Sequence, residues 1–219
     1  MTRFRSDWDF GFSSLTKFFY GPWRHERTAL ETVGDAAEGH LDDPPGAAAE
    51  AILEDTLRLL ESPLSTEALT TIWLAASGRG YNLPYFGIDT RDWLRQIIDV
   101  SVERLRQVDP AYTVAAPEPA PDTAASAVLD ELRLVAPELT AKVASRKGYE
   151  IEGVVPALEQ VVTQVDPDLG FRLFLRTLIV YRVPISEAQY SRYEALGERF
   201  GYGEFHVSDT DWLRDLPRG

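Results

Sequence analysis

The spacing of apolar residues is the strongest constraint on this chain: they recur at three and four positions along most of it and almost nowhere alternate. That spacing lines one face of an α-helix, whereas a half-buried strand requires alternation. Residues 47–61 set Ala48, Ile52, Thr56, Leu59 and Leu60 along one face, with Glu50, Glu54, Asp55, Arg58 and Glu61 over much of the rest. Residues 90–107 carry Trp93, Leu94, Ile97, Ile98 and Leu105 at helical steps. Asp89 and Thr90 are suitable N-caps there, and Asp92 suits the helix dipole. Residues 124–135, 137–146, 154–164, 168–182 and 187–200 read as further helices. The predicted fold class is all-α.

Two stretches break the pattern. Pro110, Pro117, Pro119 and Pro121 fall within residues 108–125 among Ala, Asp and Thr. Repeated proline removes backbone donors and fixes φ, so this stretch reads as an extended linker. It divides the chain into an N-terminal helical unit, 1–107, and a C-terminal unit, 126–219, packed on the first. The run Asp42-Asp43-Pro44-Pro45-Gly46 is a turn that opens a helix.

The two units echo each other. At one constant offset Thr56-Leu57 matches Thr177-Leu178, Pro63 matches Pro184, Ser65 matches Ser186 and Gly80-Tyr81 matches Gly201-Tyr202. After a contraction of two residues, Asp92-Trp93-Leu94-Arg95 matches Asp211-Trp212-Leu213-Arg214. An ordered series of matches marks duplication of one supersecondary unit. Proline ends the first helix, serine caps the second, and Ser186 with Gln189 has capping-box spacing. Gly-Tyr closes the second helix. Trp93 and Trp212 then anchor a third helix in the groove between the first two. The prediction is a bundle of two related helix-turn-helix units, each with a Trp-anchored helix.

Catalytic equipment is sparse. The chain has no Cys, which excludes disulfides, thiolate nucleophiles and Cys-based metal sites. No phosphate-binding loop, GxSxG elbow or HExxH pair occurs. His25, His40 and His206 fit no local metal motif, and each reads as structural or solvated. The pairs Asp42-Asp43, Glu54-Asp55 and Asp209/Asp211 lie in turn or amphipathic contexts and read as solvated faces. No cofactor, no metal and no enzymatic activity are expected. The charged, aromatic start MTRFRSDWDFGF is unlike a signal peptide, and no apolar run approaches a membrane span, so a cytoplasmic location is expected.

Charge does point to a partner. Asp and Glu number 35 against 22 Lys and Arg, a net charge of −13, which disfavours nucleic acid and anionic membranes. Residues 31–62 hold nine acidic residues and one basic, a balance of −8. Such a stretch can steer the encounter with a basic partner. Asp42, Asp43, Glu50, Glu54 and Asp55 are its candidate contact residues. Tyr81, Tyr85 and Asp89, with Phe86, lie in the loop between two helices and are candidates for an aromatic hot spot beside it. Trp8, Trp23, Trp73, Trp93 and Trp212 read as core or hairpin anchors.

The order of these features resembles the small helical immunity proteins of bacterial contact-dependent growth inhibition systems. The resemblance is carried by FSSLTKFFYGPW at 12–23, LRLLES at 57–62, STEAL at 65–69, Gly80-Tyr81 and GIDTRDWLR at 87–95. It covers about residues 10–107, with a weaker echo over 166–215. What it implies is a non-catalytic protein that binds a cognate toxin domain, a basic one, and blocks its active site or substrate access. The alternative is a helical scaffold or regulatory interaction module of another kind.

Overall fold

A computed structural model describes residues 8–21, 27–117, 124–146, 151–203 and 205–216. The protein is all-α, with no strand among the described residues. Among the described residues ten helices follow in order: α1 (Gly11–Lys17), α2 (Ala29–Glu38), α3 (Ala47–Glu61), α4 (Thr66–Ser77), α5 (Thr90–Val108), α6 (Ala125–Ser145), α7 (Val154–Gln164), α8 (Pro167–Tyr181), α9 (Glu187–Phe200) and α10 (Phe205–Ser208). A 3-10 turn spans Asp211–Asp215. No helix among the described residues is long and apolar enough to cross a membrane.

The sequence sets most helix boundaries locally. Ser65 caps α4 by accepting from the Ala68 amide at 3.1 Å, and Asp89 caps α5 through the Arg91 and Asp92 amides. Ser186 and Gln189 form the expected capping box on α9. Thr56 and Thr177, paired by the repeat, are both buried and both bond the carbonyl four residues back. Two boundaries differ from expectation. Helix α4 ends at Gly78, whose φ of +61° turns the chain two residues before Gly80-Tyr81. Helix α6 runs unbroken through Pro137. The proline faces solvent, while Val135 and Leu139 on either side are buried and hold the stripe against the core.

The third element of the repeat is where the two units part. In the first unit Trp93 is buried on α5, its ring edge-on to Trp73 at 5.4 Å and Phe19 at 5.8 Å. The Trp212 counterpart sits in the 3-10 turn and is 40% exposed, so it is no core anchor. A turn this short offers one inward position, and Leu213 takes it, fully buried, with its carbonyl bonded to the Ile185 amide.

Helix α3 lies along α5, with α2 against both; α7 pairs with α8, and α6 covers them. Helix α4 packs on α1 and α5 at one side and on α7 and α8 at the other. Its residues Ile72–Ser77 are consecutively buried, as a helix surrounded by others requires. The buried apolar residues from both sides of the 108–125 connection form one cluster. Residues 109–117 of that connection have no regular structure beyond a turn at its start; 118–123 lie outside the described residues, as do Trp23 and His25.

A buried ion pair joins the two ends of this core. Arg172 on α8 is 1% exposed and donates to both oxygens of Asp55 on α3, at 2.6 and 2.9 Å. Asp55 is therefore an interior residue and not part of a solvated acidic face. Its Oδ2 also accepts the Phe12 amide of α1 at 2.9 Å. Arg172 further donates to the Phe10 carbonyl and to Asp168, which accepts from Tyr202 at 2.5 Å. Burial opposes the Arg172 charge, and Asp55 and Asp168 outweigh it, so the guanidinium stays protonated. Gly11, at φ +66°, lets the chain pass over the pair: a Cβ there would stand 2.1 Å from Asp55 Oδ2.

Removing one member strands the other charge in the interior, a loss of about 3 kcal/mol or more. Asp55→Ala is therefore expected to lower the urea midpoint sharply. The Asp55→Ala/Arg172→Met double variant is expected to lose less than the two single changes summed.

Candidate binding cleft

Helix α1 also builds a concave surface. Its first turn is pinned by Asp55, and its last residue, Lys17, is held by two carboxylates. Lys17 Nζ lies 2.6 Å from Asp209 and 3.2 Å from Asp9. Asp9 also accepts from the Ser13 hydroxyl at 2.5 Å. Beside this cluster, between α1, the α2–α3 turn and Asp209, opens a cleft of about 270 Å³. Asp9, Asp43 and Asp209 line it with Lys17 as the one Lys or Arg among the lining residues.

The rim of the cleft is aromatic and exposed. Trp8 and Phe18 line it and are 44% and 50% exposed. Trp8 stacks on Phe205 at 4.7 Å and leans toward His40 at 6.3 Å. Trp8 thus belongs to the surface, contrary to its reading as a core anchor. The α2–α3 turn is held by reciprocal bonds: Asp43 accepts the His40 amide at 2.9 Å and donates its own amide to the His40 carbonyl at 3.0 Å.

Behind the rim, His206 is buried in α10 and contacts the Trp8 carbonyl through Nδ1 at 3.2 Å. Its ring lies 4.1 Å from that of Tyr202 and 5.5 Å from that of Phe10. Burial pushes its pKa below the ordinary value, and Asp9 at 4.0 Å offsets only part of this. Asp9 is also lowered, for a different reason: burial raises it, but Lys17, His206 and the Ser13 hydroxyl outweigh burial and hold it below its ordinary value.

The predicted contact residues do not gather in one place. Asp43 lines the cleft and exposed Asp42 adjoins it. Glu50 and Glu54 lie on α3 away from it, near Tyr112, with Glu54 bonded to Arg58 at 2.6 Å. Tyr81 is half-buried and stacks on Phe86 at 5.1 Å, while Tyr85 is 80% exposed. Asp89 is exposed and occupied as the α5 cap. Lys17, Phe18 and Phe205 are assigned no site by the sequence, while Trp8 reads there as a core anchor and Asp209 as half of a solvated pair. Their only shared signal was the aromatic segment 8–20, which α10 and Asp209 join through tertiary packing alone.

The arrangement suits recognition of a cationic, partly apolar group: carboxylates within, flat rings at the edge. No group of three or more His, Asp or Glu among the described residues is placed to hold a metal ion. No family model, no curated protein and no solved structure matches the chain.

The folded protein binds the His206 proton more weakly than the unfolded chain, so its contribution to stability is complete above the ordinary value of 6.5 and is lost as pH falls below it. Asp9 contributes above its ordinary value of 3.8 and is lost only at more acidic pH, through its lower folded value. The urea midpoint is expected to fall between about pH 7 and about pH 5. His206→Gln is expected to flatten the slope in that window while leaving the more acidic loss in place.

Proposed function

We propose that this is an immunity protein that binds a cognate bacterial toxin domain with a basic surface and neutralises it by covering its active site or its substrate path. The observation that carries this reading is the cleft at α1, where exposed aromatic rings surround carboxylates in a chain of net charge −13. Protein interfaces concentrate their binding energy in such aromatic anchors, and complementary charge accelerates the encounter. The protein acts by occlusion and not by chemistry. The resemblance of segments 12–23, 57–62, 65–69, 80–81 and 87–95 to contact-dependent growth inhibition immunity proteins supports the same reading. Its site of action is the cytoplasm, where an incoming toxin would meet its inhibitor.

The mode of binding follows from the architecture. The cleft rests on α1, which is clamped to α3 and α8 by the Asp55–Arg172 pair, so the surface is formed before the partner arrives and little ordering opposes association. Charge within the cleft and on nearby Asp42 makes the complex salt-sensitive.

Co-expression with the toxin domain encoded beside its gene tests this. Growth is expected to be restored and a complex recovered. Its affinity is expected to fall about tenfold or more between low and roughly half-molar salt, measured by titration calorimetry. If the pair forms no complex and the cells are not protected, the reading is wrong.

A further inference from the structure

The chemistry of the cleft narrows what enters it. Three carboxylates face one ammonium, a local balance of −2 in a concave surface. Lys17 is shared between Asp9 and Asp209, and burial, which opposes its charge, is outweighed by Asp9 and Asp209, so it remains protonated. Asp43, across the cleft, accepts the His40 amide. The walls between these charges are apolar: Ile52 and Ala48 of α3 and the rings of Trp8 and Phe18. A purely anionic group would be repelled, and a purely apolar one would desolvate carboxylates whose charge Lys17 only partly offsets. A side chain with an alkyl stem and a cationic head satisfies both surfaces at once.

We propose that the cleft receives a single lysine or arginine side chain of the protein partner, its cationic head against Asp43 and Asp209 and its stem against Trp8 and Phe18. This rests on the inhibitor reading for the identity of the partner, but the chemistry of the pocket stands independently of it. Lys17 shows what such a head does here: its own ammonium already bridges two of the three carboxylates from the adjacent helix. The incoming cation completes the neutralisation that Lys17 begins.

The test has two arms. In the first, the full-length protein is titrated with Nα-acetyl-arginine amide, Nα-acetyl-lysine amide and the neutral Nα-acetyl-norleucine amide, following the Trp8 indole N–H resonance. Saturable shifts with both basic probes, absent or at least about fivefold weaker with the neutral one, are expected. No shift, or equal shifts with all three, overturns the proposal. This arm needs no variant.

In the second arm, Trp8→Ala and Asp43→Asn/Asp209→Asn proteins are tested against the toxin domain. Asparagine keeps the hydrogen-bond acceptors for His40 and Lys17, and a cooperative urea transition with the wild-type far-UV circular dichroism confirms folding. A loss of affinity of about tenfold or more in each is expected. Unchanged affinity overturns the cleft as the anchor while leaving the inhibitor reading standing. Failure of the wild-type protein to protect, with the basic probes still binding, overturns the inhibitor reading alone.

Discussion

Everything in this molecule is arranged around a charge that cannot reach water. Arg172 lies in the middle of α8, a helix buried along nearly its whole length. An unpaired guanidinium there would be prohibitively costly, so the fold must bring it a carboxylate. Asp55 comes from α3, more than a hundred residues earlier, and Asp168 from one turn back. Once Asp55 is committed to Arg172, its remaining capacity takes the Phe12 amide, and α1 is fixed across the junction. The bend at Gly11, where no larger residue fits over the pair, is part of the same construction.

From that junction the rest follows by proximity. Helix α1 presents Lys17 to Asp9 and Asp209, which ties the last elements of the chain to its first helix. His206 and Tyr202 fill the space behind Trp8 and connect it back to Asp168. The cleft is the outer surface of this network. Its carboxylates are held by the same bonds that hold the fold, so an acid-induced loss of stability reaches the cleft as well. Arg176, one turn beyond Arg172, is buried too; it donates to the Ala76 carbonyl near the end of α4 and lies over the ring of Tyr20. Positive charge at a helix C-terminus is favourable, and here it secures α4 to α8.

Local signals made the helices legible. Ser65, Asp89 and Ser186 cap where a short polar oxygen before an apolar-periodic run should cap, and the stripes on α3 and α5 face the core as their spacing requires. Pro137 misled because a proline signals a break only if packing does not override it; Val135 and Leu139 hold α6 together across it. Trp212 misled because matching residues do not secure matching length: five residues of 3-10 turn cannot bury both Trp212 and Leu213. Asp55 misled most. Beside Glu54 and Arg58 it reads as one member of a solvated face, yet α3 is covered on that side by α1 and reached by Arg172 of α8, and its partner is unrecognisable without knowing that Arg172 is buried.

By itself the sequence determined the helical class, the caps, most boundaries and the acidity concentrated in residues 31–62, because these depend on neighbours three or four positions away or on plain counting. Which charges are buried in the interior and which line the cleft or face solvent was decided by tertiary structure alone. The desolvation of a carboxylate depends on what packs over it, and at Asp55, Asp9 and Asp209 that packing comes from distant parts of the chain. Acidity read as one continuous surface is thus divided into an interior tie, a cleft and a separate face on α3. It was the fold that placed Trp8 and Phe205 beside the second of these.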